Sequence, residues 1–271
     1  MIPMIQEVPG QTLTDTRVSA LWYRSWALWA LGYPDAALTD NEHALMHARE
    51  IGHAATLMVA LAWTNPTQYY CGKYAALNAQ AEELVNLADE KGAVYWKAAG
   101  MCAQGLFLHQ TGRASEAAQK LNSGIAAGRS TGASLFRPTQ LSWLAAIHAE
   151  LGQFDDAWLC IGDAINAIET SKESWYEAEV NRIAGEIALK SLEPDAAKAQ
   201  GYFENALVVA RQQEAKSWEL RVAMSLARLW RDQNKRQQAH DVLAPVYGWF
   251  TEGFDTVDLK EARALLDELH S

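Results

Sequence analysis

The sequence predicts an all-α, right-handed α-solenoid of about six helix-turn-helix repeats, with a period of about 40 residues and a C-terminal capping helix. Three observations predict it. First, "GYPDAAL" at Gly32, "GKYAAL" at Gly72, "GRASEAA" at Gly112 and "GQFDDAW" at Gly152 follow one another at intervals of 40 residues. The register runs on through Pro194 in "EPDAAKA", 42 residues later, and Asn234 in "NKRQQA", 40 later again. Second, Gly52, Gly92 and Gly132 fall half a period out of phase, and Gly253 does the same in the last unit. Third, apolar residues between these marks recur at helical spacing, with no alternating strand pattern and no Asn-Gly hairpin signal.

The elements follow in order. Residues 1–16 form an irregular leader. The repeat array covers 17–254, in units of about 17–54, 55–94, 95–134, 135–173, 174–215 and 216–254. In each unit the central glycine supplies a left-handed turn position, and Pro34 with the nearby acids suits the first turn of the following helix. A small residue five positions on (Ala37, Ala117, Ala157, Ala199, Ala239) lets the paired helices approach, Leu77 being the exception. In the fourth unit Leu141, Leu144, Ala145, His148 and Leu151 share one face, as do Ala157, Ile161, Ala164, Ile165 and Ile168 in its partner. Residues 255–271 form the cap, started by Asp255 or Thr256, with Leu259, Ala262, Leu266 and Leu269 as its apolar stripe.

Composition excludes several classes. The chain has 271 residues, 49% of them apolar, and a formal charge of −10, so a nucleic-acid backbone is not an expected partner. Cys71, Cys102 and Cys160 are odd in number and form no metal or disulfide pattern, which fits reduced thiols in a cytoplasmic protein. The start lacks a secretory signal, and no apolar run reaches the length of a membrane span; "LWYRSWALWALGY" is too short and holds Arg24.

The Leu-Gly-x-x-x-x-Ala scheme and "YFENAL" (Tyr202 to Leu207) resemble the tetratricopeptide repeat, whose usual length is 34 residues. The longer unit, with "WYEAEVNRIAGEIAL" (Trp175 to Leu189) and the stretch from Ala215 to Leu269, is similar to the C-terminal array of bacterial adenylate/guanylate cyclase–ATPase-type signalling proteins. That resemblance implies a regulatory or scaffolding segment with no cofactor. It carries over no catalytic residue: "GMCAQGLF" (Gly100 to Phe107) has two glycines but lacks the lysine and hydroxyl of a phosphate loop.

Candidate sites are few. His43 and His47 share a helix face with Glu50, at a spacing that can hold a metal but reads better as a solvated face, so no metal is expected. Ser142 and His148 stand six apart on different faces, which does not make a catalytic pair. A cationic stripe is more informative. Counting from the repeat marks puts Arg221, Arg228 and Arg231 on the concave side of unit six, near Glu179 and Arg182 of unit five and Trp143 of unit four. These residues can hold a carboxylate or phosphate of a partner. Alternatively, Glu179, Glu186 and Glu219 pair with them between stacked helices. Trp96, Phe136, Trp175–Tyr176 and Trp218 recur in register and read as wedges between repeats. Trp22, Tyr23, Trp26 and Trp29 break the period and are the candidate interaction or oligomer surface, unless the leader covers them.

The expected function is a non-catalytic protein-interaction or regulatory scaffold that binds a protein or peptide segment in its concave groove. One alternative is a sensor of a small anionic or aromatic ligand inside the superhelix. Another is self-assembly, as a homodimer, through the aromatic N-terminal end.

Overall fold

The computed structural model describes residues 14–270. Among the described residues the chain is helical throughout, with short turns and no strand. The helices are α1 (Thr16–Leu31), α2 (Pro34–Ile51), α3 (Ala54–Tyr70), α4 (Tyr74–Glu90), α5 (Val94–Gln110), α6 (Ala114–Ser130) and α7 (Arg137–Glu150). They continue as α8 (Phe154–Ser171), α9 (Glu177–Lys190), α10 (Ala196–Gln212), α11 (Lys216–Asp232), α12 (Arg236–Tyr247) and α13 (Val257–His270). Most of the expected leader lies outside the described residues, and Thr16, its last member, already belongs to α1, where the Asp15 carboxylate caps Arg17 N and Val18 N.

The repeat marks sit at the turns. All eight marking glycines adopt positive φ, and Asn234 takes the same left-handed conformation at φ 60° in the sixth hairpin. The fifth hairpin departs from the scheme: no residue from Ser191 to Asp195 has positive φ, and the Asp195 side chain caps Lys198 N of α10. Ala37, Leu77, Ala117, Ala157, Ala199 and Ala239 are completely buried where paired helices meet. Gly100 and Gly105 belong inside α5, where an added Cβ would press on Val85 and on Ala117 O. They serve helix packing.

Each odd-numbered helix packs on the next odd-numbered one, from α1 through α13, and each even-numbered helix packs outside that series. The odd helices are therefore the inner layer of a solenoid, and α13 occupies the next inner position after α11. Its buried stripe is Leu259, Ala262, Leu265 and Leu269, so Leu265 replaces the expected Leu266, which is half-buried beside it. The Thr256 hydroxyl turns back to donate to Gly253 O.

The solenoid closes on itself. Helix α1 touches α11, with the Trp29 ring edge-on to Trp218 at 4.5 Å and stacked on Tyr70 at 4.6 Å. Ser217 Oγ donates to Trp29 O at 2.5 Å, and Trp249 Nε1 donates to Leu31 O at 3.4 Å. Helix α2 has no side-chain cap from its own Tyr33; instead Glu252 accepts from Ala36 N at 2.9 Å. In return Asp35 accepts from Gly253 N at 2.9 Å. The first and last hairpins thus cap each other across 216 residues of sequence.

Gly253 has φ +75° and lies against the Pro34 ring, with no space for a Cβ. Gly112 has a similar φ of +76° but open surroundings. Gly253→Ala is expected to cost about 2–4 kcal/mol, combining backbone strain with loss of the closure, whereas Gly112→Ala costs about 1–2 kcal/mol. Urea denaturation of the two variants measures the difference.

Candidate functional site

Closure brings the inner faces of α9, α11 and α13 beside the far ends of α3, α4 and α5. On α9, Glu179, Arg182 and Glu186 project from one face; on α11, Arg221, Ser225 and Arg228 do so; on α13, Asp258 and Glu261 follow. The result is a ladder of pairs across three helices. Arg182 grips Glu179 through two N–H groups at 2.7 and 2.8 Å, and reaches Glu186 at 3.3 Å. Arg221 donates to Glu179 at 3.0 Å and to Asp258 at 2.6 Å. Ser225 Oγ donates to Glu186 at 2.7 Å, and Arg228 pairs with Glu261 at 2.7 Å.

Burial decides what these pairs are worth. The Glu179 side chain is only 2% exposed and those of Arg182 and Arg221 are 14% and 20% exposed, so the pairs are largely shielded from water. Burial pushes the Glu179 carboxyl up, but the Arg182 and Arg221 guanidiniums outweigh it and hold the group at about 2. At Asp258 burial wins: its carboxyl stays above the usual range although Arg221 opposes the shift. The Arg228–Glu261 pair is exposed on both sides and contributes little.

Aromatic groups floor this network. Tyr70 and Tyr176 share a short hydroxyl–hydroxyl contact, Trp143 Nε1 donates to the Tyr70 hydroxyl at 3.3 Å, and the Arg221 guanidinium lies 5.5 Å from the Tyr70 ring centre. Above the floor is a cleft of about 320 Å³, walled by Tyr69, Tyr74, Arg182, Lys190, Arg228 and Glu261 among others. A chamber of about 210 Å³ adjoins it, bounded by Tyr69, Tyr70, Trp143, Tyr176, Glu179 and Arg221. Seven residues, including Arg182 and Arg221, line both spaces.

The candidate residues separate into three groups. Arg182, Arg221 and Arg228 meet at the cleft, and Glu179 and Trp143 line the inner chamber. Arg231 points elsewhere, pairing with Asp232 and Glu268 at 2.9 Å each, and is not among the cleft residues. Glu219 leaves the stripe altogether, binding Arg211 and Lys216. The N-terminal aromatics do not form an open end. Trp22 and Trp29 are buried; Trp26 stacks on Trp175 and meets Phe136 and Trp63; Tyr23 alone of the four keeps an exposed face. Period-breaking residues are needed there because α1 contacts α11 as well as α3.

Sequence reasoning missed Tyr69, Tyr74, Gln110, Lys190, Asp258 and Glu261, all of which line the cleft. The acids at i, i+3 on the capping helix were a legible signal. The contribution of α3 to α5 was not, because it depends on closure. Among the described residues no three His, Cys, Asp or Glu side chains group as a metal site. His47 pairs with Glu50, Ser142 Oγ donates to Thr139 O, and His148 turns to Gln153. No described helix is long and apolar enough to cross a membrane.

Replacing Glu179 by Gln removes the carboxylate that two buried guanidiniums share, leaving Asp258 to Arg221 and the longer Glu186 contact to Arg182, and is expected to cost about 3–5 kcal/mol. The pH dependence has a definite sign. A carboxyl held at about 2 rather than 4.5 stabilises the fold above pH 4.5, and that stability drains away as pH falls towards 2. Asp258 acts in the opposite direction, since its folded-state carboxyl takes up a proton more readily than the unfolded one. Denaturation midpoints from pH 6 down to 2 should fall steeply in the natural protein and more gently in Glu179→Gln.

Comparison with known proteins places the fold and nothing finer. No protein-family model matches the chain, and no curated protein matches it. Among solved structures, the apo form of RapI matches with a TM-score of 0.63 at 12% identity, over 96% of this chain and 87% of that one. Aspartyl phosphate phosphatase F from Bacillus subtilis matches with a TM-score of 0.59 at 13% identity, over 91% of this chain and 62% of that one. A tetratricopeptide repeat protein from Parabacteroides merdae matches more loosely, with a TM-score of 0.42 at 10% identity, over 95% of this chain and all of that one. The chain is an α-solenoid of tetratricopeptide-like helical hairpins.

Proposed function

We propose that the chain is a non-catalytic interaction and regulatory module that receives its partner in the cleft among α4, α9, α11 and α13. One observation carries this reading: the middle of the inner surface is filled by Trp29, Tyr70, Tyr176 and Trp218, while a charged cleft beside them stays open. A helix is about 10 Å across with its side chains, so it does not lie along such an axis without displacing the rings. The end of an extended protein or peptide segment fits instead, with side chains entering the inner chamber and backbone groups meeting the polar rim. The similarity of residues 171–269 to cyclase–ATPase-type arrays favours a bacterial signalling context in the cytoplasm.

A second reading, a sensor of a small ligand, is favoured by a specific feature. Trp143, Arg182 and Arg221 line the same inner chamber of about 210 Å³, which brings aromatic and cationic groups together in a space too small for a long segment. Self-assembly through Trp22, Trp26 and Trp29 has less support, because those rings are engaged within their own chain.

Selection from a random displayed-peptide library tests the first reading. Peptides enriched on the natural protein should lose at least tenfold in affinity against Ala146→Phe, which fills space shared by cleft and chamber. Gln110→Trp narrows both spaces from an exposed position on another helix and guards against a folding artefact. Peptides that bind both folded variants unchanged would contradict the reading.

A further inference from the structure

The cleft carries information about the chemistry of its ligand. Its walls hold four cations, Arg182, Lys190, Arg221 and Arg228, and three acids, Glu186, Asp258 and Glu261, with Glu179 behind them as a fourth. The formal charges therefore cancel. A multiply charged ion of either sign enters such a site at the cost of an uncompensated, partly desolvated charge. A ligand bearing one charge of each sign leaves the balance intact.

Hydrogen-bonding capacity is left over on both sides. Among the described residues Lys190 makes no ion pair and the Tyr74 hydroxyl makes no hydrogen bond, although both face the cleft. Arg228 commits one nitrogen, Nη2, to Glu261 and leaves its other donors unused. Asp258 accepts through Oδ1 alone, and Glu261 through Oε2 alone. Burial keeps the Asp258 carboxyl above its usual range, consistent with an acid that Arg221 alone does not satisfy.

Apart from Gln110 and His109, the rest of the lining is apolar or aromatic. Ile183, Ile187, Met224 and Val257 line the cleft, and Tyr69, Tyr70, Trp143 and Tyr176 line the chamber behind. The cleft volume of about 320 Å³ lies at the small end of the range of ligand pockets.

We propose that the cleft binds a small zwitterion with an aromatic or branched apolar body, of which a free apolar α-amino acid is the simplest member. Its carboxylate meets Lys190, Arg228 and the Tyr74 hydroxyl; its ammonium meets Asp258 and Glu261; its body enters the chamber of Tyr69, Tyr70, Trp143 and Tyr176. This inference rests on the small-ligand reading of the same cleft. Because Asp258 and Glu261 belong to α13, the ammonium draws the capping helix onto the cleft, and Val257 carries that contact to Gly72 at the turn between α3 and α4.

The test is a calorimetric and thermal-shift panel on the full chain. The probes are the aromatic and branched L-amino acids, the N-acetylated acid and the carboxamide of each, and inorganic phosphate. At least one free amino acid is expected to bind saturably, with its acetyl and amide forms and phosphate at least tenfold weaker. Lys190→Met should weaken the free amino acid at least fivefold, as should Glu261→Gln. Both side chains are exposed, so neither variant threatens the fold.

If blocked forms bind as well as free ones and Ala146→Phe abolishes both, the cleft is a ligand site but the zwitterion proposal fails. If no probe binds in a way that Ala146→Phe removes, the proposal fails together with the small-ligand reading. Binding of the free amino acid that survives both Lys190→Met and Glu261→Gln also overturns the proposal.

Discussion

The docking of the first hairpin on the last is the constraint on which the rest of the structure depends. An open solenoid presents one long concave face; this chain brings α1 against α11 and fills the middle with rings from α1, α3, α11 and the turn before α9. Trp29 is the keystone, lying on Tyr70 at 4.6 Å and against Trp218 at 4.5 Å, while its backbone carbonyl accepts from Ser217. Apolar burial supplies most of the favourable free energy of such a seam, and the polar contacts supply register. Glu252 on Ala36 N and Asp35 on Gly253 N admit one alignment of the two hairpins, because each satisfies a backbone donor that would otherwise go unpaired.

Closure also explains why the ionic ladder is buried. In an open array Glu179, Arg182 and Arg221 would line a wet groove, and their pairs would be worth little. Here Tyr69 and Tyr70 come across from α3, Val257 reaches the turn at Gly72, and the ladder is left with one partly open side. A buried network of this kind does not add stability over an apolar core of the same shape; it specifies how α9, α11 and α13 sit relative to one another. The neutral sum of charges follows from the same physics, since an unmatched ion at this depth would have to be hydrated or neutralised.

How much of this was legible in the sequence differs from residue to residue. The glycine marks were, because a left-handed turn between close-packed helices leaves a periodic trace: Gly32, Gly72, Gly112 and Gly152 all adopt positive φ. The arginine stripe was half legible. Spacing puts Arg221 and Arg228 on the inner face, while the α13 partners of Arg221, Arg228 and Arg231, which are Asp258, Glu261 and Glu268, are marked only by acids recurring beside the cap's apolar stripe. The aromatic N-terminus was not decidable from the sequence, for a physical reason. A period-breaking tryptophan marks a contact that the repeat does not supply, and Trp26 and Trp29 find that contact within the chain, on Trp175 and Trp218, about 150 to 190 residues away. Local periodicity holds no record of such a return, and so Tyr69, Tyr74 and Gln110 could not be assigned to the site.

The central claim is that the solenoid is closed in solution. The direct measurement is a pulsed electron-spin distance between labels at Glu42 on α2 and Gln237 on α12, both exposed, in a chain carrying Cys160→Ser. Cys71 and Cys102 remain, because burial pushes both thiols up to about 12 and hides them from the label. A single narrow distance that broadens in Gly253→Ala is the expected result. A broad distribution in the natural background, unchanged by that substitution, would mean that the two hairpins are not held together and that the cleft does not exist as a formed site.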